Sequence, residues 1–249
     1  MTELYVRPRS MSYAPNPYCP GCGHGIAHKL IGETIDELGI SDRVVGIVSA
    51  GCSVRSWRLY RFDMVLTAHG RSPAVATGIK RARPETLVFA YQGDGDSAAI
   101  GLGELMHAAL RCEAITVFMI NNAVYGATGG QAAPTTLIGQ KTASYPFGRD
   151  PNKVGYPINM AEVIAGISKN CYIARVALNN VRNVLKAKNA FSRAFRTQEK
   201  GLGFSFVEVL SSCPTGWHLT PVQSLGKIDE MTQQFPLGEF KVPKSLEAS

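Results

Sequence analysis

Apolar residues along this chain follow two alternating periods. Apolar side chains recur at helical spacing from Ile26 to Leu38, and Gly39 follows as a helix-ending residue. The next run, 43–49, is β-branched and almost entirely apolar, as expected of a strand that is buried on both faces of a parallel sheet. The first fifty residues therefore predict a helix followed by a buried strand.

The same alternation continues along the chain. Further strands are predicted at 63–67, 86–91, 114–120, 171–176 and 204–210, and further helices at 73–83, 97–110, 160–167 and 180–196. Strands that alternate with helices predict an α/β fold, with a mostly parallel sheet and helices on both of its faces. Residues 132–157 lose this periodicity and collect Gly, Pro, Ser and Thr, which predicts a long ordered loop. We expect one domain over 1–249, with an N-terminal cysteine loop at about 1–25 and a C-terminal tail at about 211–249.

Composition narrows the class of protein. The chain has 249 residues, of which 45% are hydrophobic and 18% charged, so it can bury a core and does not resemble a disordered chain. No apolar run approaches the roughly 18 residues of a membrane helix, and the first residues lack a secretory signal pattern. We therefore expect a cytoplasmic protein with no membrane span, in which the six cysteines are not disulfides.

Unusual residues follow five of the predicted strands. The segments are AGCS after the strand at 43–49, AHGR after 63–67, QGDGD after 86–91, NNAVYG after 114–120 and SSCP after 204–210. In parallel sheets ligands bind at the carboxyl ends of the strands. The five segments are therefore expected to converge on one crevice.

The segment Gly93–Asp96 opens a predicted helix, and glycines there allow a phosphate to approach the backbone closely. Asp94 alone would repel a diphosphate, so a divalent cation has to lie between the two. Carboxylate, amide and backbone oxygens suit Mg²⁺. The Gly-x-Gly-x-x-Gly pattern of dinucleotide-binding proteins is absent.

Four cysteines lie in turns rich in Gly and Pro, namely Cys19, Cys22, Cys52 and Cys213. A Cys-x-x-Cys pair with two more cysteines fits a zinc site or an iron–sulfur cluster, and spacing alone does not decide between them. A redox dithiol is disfavoured because Cys19 and Cys22 do not lie between a strand and a helix. Cys112 and Cys171 lie in apolar settings and are interpreted as buried core thiols.

Taken together, these motifs resemble the thiamine-diphosphate-binding beta subunits of 2-oxoacid:ferredoxin oxidoreductases. The resemblance rests on CPGCGHG, GCS, HGR, GDGD, NNAVYGATGGQ, PTT, GRDP and SCPT, and it covers almost the whole chain. It implies the thiamine-diphosphate-binding fold. It also implies that Mg²⁺ is held by Asp94, Asn122 and the Val124 carbonyl, and that a 4Fe-4S cluster is held by Cys19, Cys22, Cys52 and Cys213. The residues implied to line thiamine diphosphate are Ala50, Gly51, Ser53, His69, Gly95, Asp96, Gly126 and Ala127.

The resemblance also implies a reaction and partners. The reaction is oxidative decarboxylation of a 2-oxoacid to an acyl-coenzyme A, with electrons passing to the cluster and then to ferredoxin; it is reversible as a carboxylation. The closing segment resembles that of members acting on 2-oxoglutarate or branched-chain 2-oxoacids. We expect 2-oxoglutarate as the substrate, with a branched-chain or aryl 2-oxoacid and another acceptor as the alternative. No glutamate matches the cofactor-activating role, so a partner alpha subunit is expected to supply it, alone or with ferredoxin-like gamma and delta subunits. No catalytic residue is assigned to this chain.

Two other functions remain as alternatives. A non-redox thiamine-dependent decarboxylase half has no use for the cysteine quartet. A zinc-stabilised nucleic-acid module is suggested by the net charge of +7, but the strand-end motifs speak against it, and we expect no nucleic-acid partner.

Several basic residues have open roles at this point. Arg71 fits either a phosphate contact or an ion pair, and His24 fits either a hydrogen bond toward the cofactors or a structural role. Arg55, Arg58 and Arg61 fit an anion entrance or a subunit interface, while some relatives carry lysine at the positions of Arg55 and Gly129.

Overall fold

A computed structural model describes residues 6–247. Residues 1–5 and 248–249, the outermost parts of the predicted N-terminal loop and C-terminal tail, lie outside the described residues. The strands are β1 (Val44–Ser49), β2 (Asp63–Thr67), β3 (Leu87–Gly93), β4 (Thr116–Asn121), β5 (Val124–Tyr125), β6 (Gln131–Ala132), β7 (Cys171–Ala177), β8 (Phe204–Leu210) and β9 (Gly238–Lys241). The helices are α1 (His24–Leu38), α2 (Ser72–Ala82), α3 (Leu102–Leu110), α4 (Pro151–Val154), α5 (Met160–Ile167), α6 (Val181–Glu199), α7 (Pro214–Trp217), α8 (Pro221–Gln234) and α9 (Lys244–Glu247).

Within the described residues, seven strands form one sheet in the order β2-β1-β3-β4-β8-β7-β9. Neighbouring strands are parallel except for the pair of β7 and β9. The central strands β3, β4, β7 and β8 are almost entirely buried, which explains their continuous apolar sequence. The predicted mostly parallel α/β sheet is confirmed.

Helices cover both faces of the sheet, as predicted. On one face, α1 and α6 pack on alternate strand residues that include Phe89 and Phe118. On the other face, α2, α3 and α5 pack on the intervening residues, which include Val88 and Val117. No described helix is long and apolar enough to cross a membrane.

The helix predicted at 97–110 is interrupted. A π-helical turn spans Asp96–Ile100, and α3 begins only at Leu102. The Gly101 amide donates to the Asp96 carbonyl at 2.8 Å, five residues back. Gly101 also packs closely against Gly70: a Cβ at Gly101 would lie only 2.4 Å from the Gly70 carbonyl oxygen, so no side chain fits there. The close approach of two backbones explains the irregular turn, and π-turns are frequent at functional sites.

The loop predicted at 132–157 is largely irregular but ordered by internal contacts. The buried Arg149 side chain donates to the backbone carbonyls of Pro134, Thr136, Gly155 and Tyr156 at 2.8–2.9 Å. Only α4 and the end of β6 interrupt the loop. The arginine thus replaces the backbone hydrogen bonds that regular structure would supply.

The segment predicted as a tail at about 211–249 contains regular structure that the sequence analysis did not assign. α8 begins with a capping box at Thr220 and Gln223 and buries Ile228 and Met231. β9 then pairs with β7 as the antiparallel edge of the sheet. The residues up to 247 are therefore part of the packed fold.

Candidate functional site

The carboxyl ends of the strands form one cleft. It is lined by all the residues that the sequence analysis assigned to thiamine diphosphate and to magnesium, namely Ala50, Gly51, Ser53, His69, Asp94, Gly95, Asp96, Asn122, Val124, Gly126 and Ala127. These residues follow β1, β2, β3 and β4, which are adjacent in the sheet. The structure therefore brings together residues that lie up to about eighty positions apart in the chain.

Asp94 is a buried carboxylate at the base of this cleft, with 2% of its surface exposed. It accepts hydrogen bonds from the Gly95 amide at 2.8 Å and from the Thr135 hydroxyl at 2.5 Å. No basic side chain of residues 6–247 forms an ion pair with it. Burial raises the pKa of Asp94 from 3.8 to about 6, although those hydrogen bonds oppose the shift. A cation beside Asp94 would supply the missing positive charge.

The turn after β4 carries the two other expected magnesium ligands, the Asn122 side-chain oxygen and the Val124 main-chain carbonyl. The Asn122 side-chain oxygen accepts from the Val124 amide at 3.3 Å, and the Trp217 indole donates to the Asn122 carbonyl at 2.9 Å. Ala123 adopts a left-handed conformation, with φ of 59°. A carboxylate, an amide oxygen and a carbonyl in one cleft are the donor set that Mg²⁺ prefers, so these residues fit the ion that the sequence predicts.

Gly95 allows the backbone to approach other groups closely. A Cβ at Gly95 would lie 2.1 Å from the ring of Tyr125, whose hydroxyl donates to the Gly95 carbonyl at 3.2 Å. Any larger residue would displace the ring or close the cleft. The requirement for glycine in GDGD is therefore steric at this position.

Asp96 anchors the neighbouring loop through its side chain. Its carboxylate accepts from the His69 Nδ1 at 2.5 Å, and also from the Ser49 hydroxyl and the Gly70 amide. Because Nδ1 donates to Asp96, the Nε2 atom of His69 is the one left for a ligand. Asp96 lines the cleft as expected, but its side chain is occupied by the protein.

The four predicted cluster cysteines line a second cavity, of about 240 Å³. A Cβ at Gly126 would lie 3.0 Å from the Cys213 sulfur and 3.9 Å from the Cys52 sulfur, so a side chain at this position would crowd the Cys213 sulfur. Burial raises the pKa of Cys22 to about 12 and that of Cys213 to about 11. Within residues 6–247, no group of three or more His, Cys, Asp or Glu side chains is arranged to hold a metal ion.

The two cavities adjoin. Both are lined by His24, Cys52, Asn122, Gly126 and Ala127. The His24 ring is buried, its Nδ1 lies 2.7 Å from the Tyr91 hydroxyl, and burial lowers its pKa to about 4. The histidine therefore forms a neutral part of the wall between the cleft and the cysteine cavity.

Comparison with known proteins agrees with this geometry. Residues 49–209 match the family model of the thiamine pyrophosphate enzyme, C-terminal TPP binding domain. The chain is 38% identical over 218 residues to 2-oxoglutarate synthase subunit KorB of Archaeoglobus fulgidus, covering 87% of this chain and 76% of that protein. The chain belongs to the thiamine diphosphate-binding subunits of the 2-oxoacid oxidoreductases.

Other members of the family are also similar. Ketoisovalerate oxidoreductase subunit VorA of Methanothermobacter marburgensis is 47% identical over 240 residues, which is 96% of this chain and 50% of that protein. This chain thus spans about half the length of that relative. The chain is also similar to a solved structure, that of 2-oxoglutarate:ferredoxin oxidoreductase from Magnetococcus marinus with 2-oxoglutarate, coenzyme A and succinyl-CoA bound. The TM-score is 0.77 and the sequence identity 26%, and the match covers 99% of this chain and 89% of that chain.

The arginines near the site differ in their surroundings. Arg71 pairs with Glu104, which accounts for its side chain without a phosphate. Arg58 lies over the Trp57 ring at 4.5 Å, while Arg55 lines the cysteine cavity. Of the open roles, the structure thus favours the ion pair for Arg71.

The two remaining cysteines lie outside both cavities. Cys171 is buried beside the Ser168 hydroxyl, as predicted for a core thiol. Cys112 is partly exposed, because it lies in a left-handed turn after α3 with its sulfur against the Asn170 carbonyl. The prediction that Cys112 is buried is therefore wrong.

Tyr125 and Thr135 contribute to the site but were not assigned from the sequence. Tyr125 lines the cleft and packs on Gly95, and Thr135 donates to Asp94. Both belong to motifs that were recognised, NNAVYG and PTT, so a signal existed for the segments but not for these side chains.

Proposed function

We propose that this chain binds thiamine diphosphate, Mg²⁺ and a 4Fe-4S cluster in an enzyme that oxidises 2-oxoacids. In that reaction the 2-oxoacid would lose carbon dioxide, its acyl group would pass to the thiol of coenzyme A, and two molecules of oxidised ferredoxin would each take one electron; a bound cluster would supply the electron-transfer group. The thiol proton is released. With reduced ferredoxin in excess, the same reaction runs as a carboxylation.

The observation that carries this proposal is the shared wall between the thiamine cleft and the cysteine cavity. His24, Cys52 and Asn122 line both spaces. Bound thiamine diphosphate supplies an electron sink for decarboxylation. An electron acceptor held directly beside it has a use, whereas a structural zinc at that position has none.

The magnesium assignment is supported by Asp94. Its buried carboxylate has no basic partner among residues 6–247, and a buried charge without a counterion is costly. The Asn122 amide and the Val124 carbonyl would complete the protein ligands, and His69 would donate or accept at the ligand through Nε2. The chain's own contribution is thus to bind and orient the diphosphate.

The cysteine cavity, with a volume of about 240 Å³, has room for a cluster. A cubane of iron and sulfide also holds its four thiolates farther apart than one zinc ion does. Ligation requires thiolates, so the raised pKa of Cys22 and Cys213 means that cluster binding releases protons. We accordingly propose a cytoplasmic location, where the thiols stay reduced.

A partner alpha subunit is proposed for the missing acid. The described residues that line the cleft include Asp94 and Asp96 but no glutamate. The cofactor-activating glutamate and most substrate contacts would come from that partner, with or without ferredoxin-like subunits. Relatives named as subunits of oxidoreductases support such an assembly.

The substrate is proposed to be a 2-oxoacid, and the comparisons favour a branched-chain one. Relatives named for ketoisovalerate are 47% and 48% identical, while relatives named for 2-oxoglutarate are 34–38% identical. The expectation of 2-oxoglutarate stays a prediction.

The experiment is acceptor reduction by the complex, co-expressed with its partner subunits and purified without oxygen. Each of several 2-oxoacids is added with coenzyme A, and reduction of ferredoxin or viologen is followed by absorbance. We expect faster reduction with 3-methyl-2-oxobutanoate than with 2-oxoglutarate, and none in the Asp94→Asn complex. Decarboxylation that proceeds without any acceptor would instead identify a non-redox thiamine enzyme.

A further inference from the structure

A buried carboxylate lies behind the proposed magnesium ligands and contacts none of them. Glu208, in the middle of β8, is completely buried. Its register partners are Met119 of β4 and Arg175 of β7, so it lies in the centre of the sheet. A charge buried there is costly unless it is fully hydrogen-bonded, and a buried ion pair often adds no net stability to a fold. Stability alone therefore does not explain the presence of Glu208. The thiamine site as described above has no use for this residue.

Three donors satisfy the Glu208 carboxylate. The Asn121 side-chain amide donates to Oε1 at 2.7 Å. Arg175 Nε and the Ala161 backbone amide donate to Oε2 at 2.9 and 3.2 Å. Asn121 is itself fully buried and immediately precedes the proposed ligand Asn122. Glu208 thus fixes the orientation of the Asn121 amide group.

The orientation of Asn121 controls the turn that carries the ligands. With its amide nitrogen directed to Glu208, the Asn121 side-chain oxygen accepts from the Ala123 amide at 3.1 Å. Ala123 is in the left-handed region, with φ of 59°, where alanine is disfavoured without such support. Because Asn122 and Val124 flank Ala123, this conformation sets the direction of the Asn122 side chain and of the Val124 carbonyl.

We propose that Glu208 is a positioning residue for the magnesium ligands, acting through Asn121 and the left-handed turn at Ala123. This inference rests on the proposed magnesium–diphosphate site. Groups behind metal ligands typically change metal affinity by about 10–100-fold when they are altered. Glu208 differs from such groups in that it contacts the residue next to the ligand.

Arg175 offers a matched control because it has a second acidic partner. Its NH1 donates to Glu162 at 2.9 Å and to the Pro236 carbonyl at 3.0 Å. The Glu162 side chain is 36% exposed and has no bond to Asn121. Glu208→Gln leaves one accepting oxygen for the three donors of Asn121, Arg175 and Ala161, so it disturbs both the Arg175 ion pair and Asn121. Glu162→Gln weakens only the Arg175 ion pair.

The test measures thiamine diphosphate binding as a function of Mg²⁺ concentration, by calorimetry on the co-expressed complex depleted of both. For Glu208→Gln we expect the Mg²⁺ concentration at half-saturation to rise by about tenfold. For Glu162→Gln we expect it to stay within about twofold of the wild type. Saturating Mg²⁺ is expected to restore the thiamine diphosphate affinity of Glu208→Gln, which a general folding defect would not allow.

A second variant covers the case in which Glu208→Gln does not assemble. Asn121→Ser leaves Arg175 and Ala161 on the carboxylate but is too short to join Glu208 to Ala123, so the same loss of Mg²⁺ affinity is expected. Wild-type Mg²⁺ dependence in either variant, or an equal loss in Glu162→Gln, overturns the role of Glu208. If the wild-type complex itself binds thiamine diphosphate independently of Mg²⁺, the proposed magnesium site is wrong instead.

Discussion

Asp94 and Asp96 are equally buried but have opposite surroundings. Each is 2% exposed. Asp96 accepts from His69, Ser49 and the Gly70 amide, whereas Asp94 accepts from the Thr135 hydroxyl and backbone amides and has no basic partner among residues 6–247. Replacing each aspartate by asparagine should therefore change stability in opposite directions.

The change in the free energy of unfolding expected for Asp94→Asn follows from the pKa of Asp94. In the unfolded chain the carboxyl ionises near 3.8, and in the fold near 6. Ionisation of Asp94 therefore lowers the free energy of unfolding as the pH rises from about 4 to about 6, and the loss is constant above that pH. A shift of ~2 pKa units corresponds to a loss of ~3 kcal/mol. In the cofactor-free chain, Asp94→Asn should raise the free energy of unfolding by up to ~3 kcal/mol at neutral pH, and by little near pH ~4.

The assay is urea unfolding of the cofactor-free chain, near neutral pH and again near pH ~4. Asp96→Asn is the control: it should lower stability by ~1.5–3 kcal/mol, because the donors around Asp96 lose a charged acceptor. Calorimetry should show that Asp94→Asn no longer binds thiamine diphosphate with Mg²⁺. A less stable Asp94→Asn at neutral pH, or one that binds the cofactor as the wild type does, would refute this reasoning.

Two further substitutions test the cleft and the cysteine cavity. Gly95→Ala should weaken thiamine diphosphate binding by tenfold or more, because its Cβ would lie 2.1 Å from the Tyr125 ring. In the control Gly103→Ala, in α3, the Cβ meets nothing within 4 Å and should stabilise the helix by up to ~1 kcal/mol. Equal cofactor affinity in the two variants would contradict the steric explanation. Cys213→Ser should lower the iron content of the anaerobically purified complex, as measured by elemental analysis. The control Cys171→Ser should keep its iron. A full iron content in Cys213→Ser would show that Cys213 is not a cluster ligand.

Much of the fold was predictable because its signals are local. β2, α5 and β8 have the bounds that the sequence predicts, since each is a short apolar run between clear turn residues. The convergence of the strand-end motifs was also predictable, because parallel strands present their carboxyl ends at one edge. These features need no knowledge of contacts between distant residues.

Features that depend on distant contacts were not predictable. The π-turn before α3 arises where Gly101 meets Gly70, and β9 is a short, polar strand that forms only because β7 offers a free edge. In the same way, only the fold brings the hydroxyl of Thr135 to Asp94. Asp96 lines the cleft, as the resemblance implies, but only the fold shows that its side chain also anchors His69.

We propose that this chain holds a thiamine site and an iron–sulfur cluster side by side. Cofactor analysis of the complex purified without oxygen tests it most directly, in the wild type and in Cys213→Ser. We expect thiamine diphosphate and Mg²⁺ in equal amounts, iron matched by acid-labile sulfide, and a brown colour that bleaches on reduction; the variant should lose iron and keep thiamine diphosphate. A colourless wild-type complex with zinc in place of iron would contradict the account.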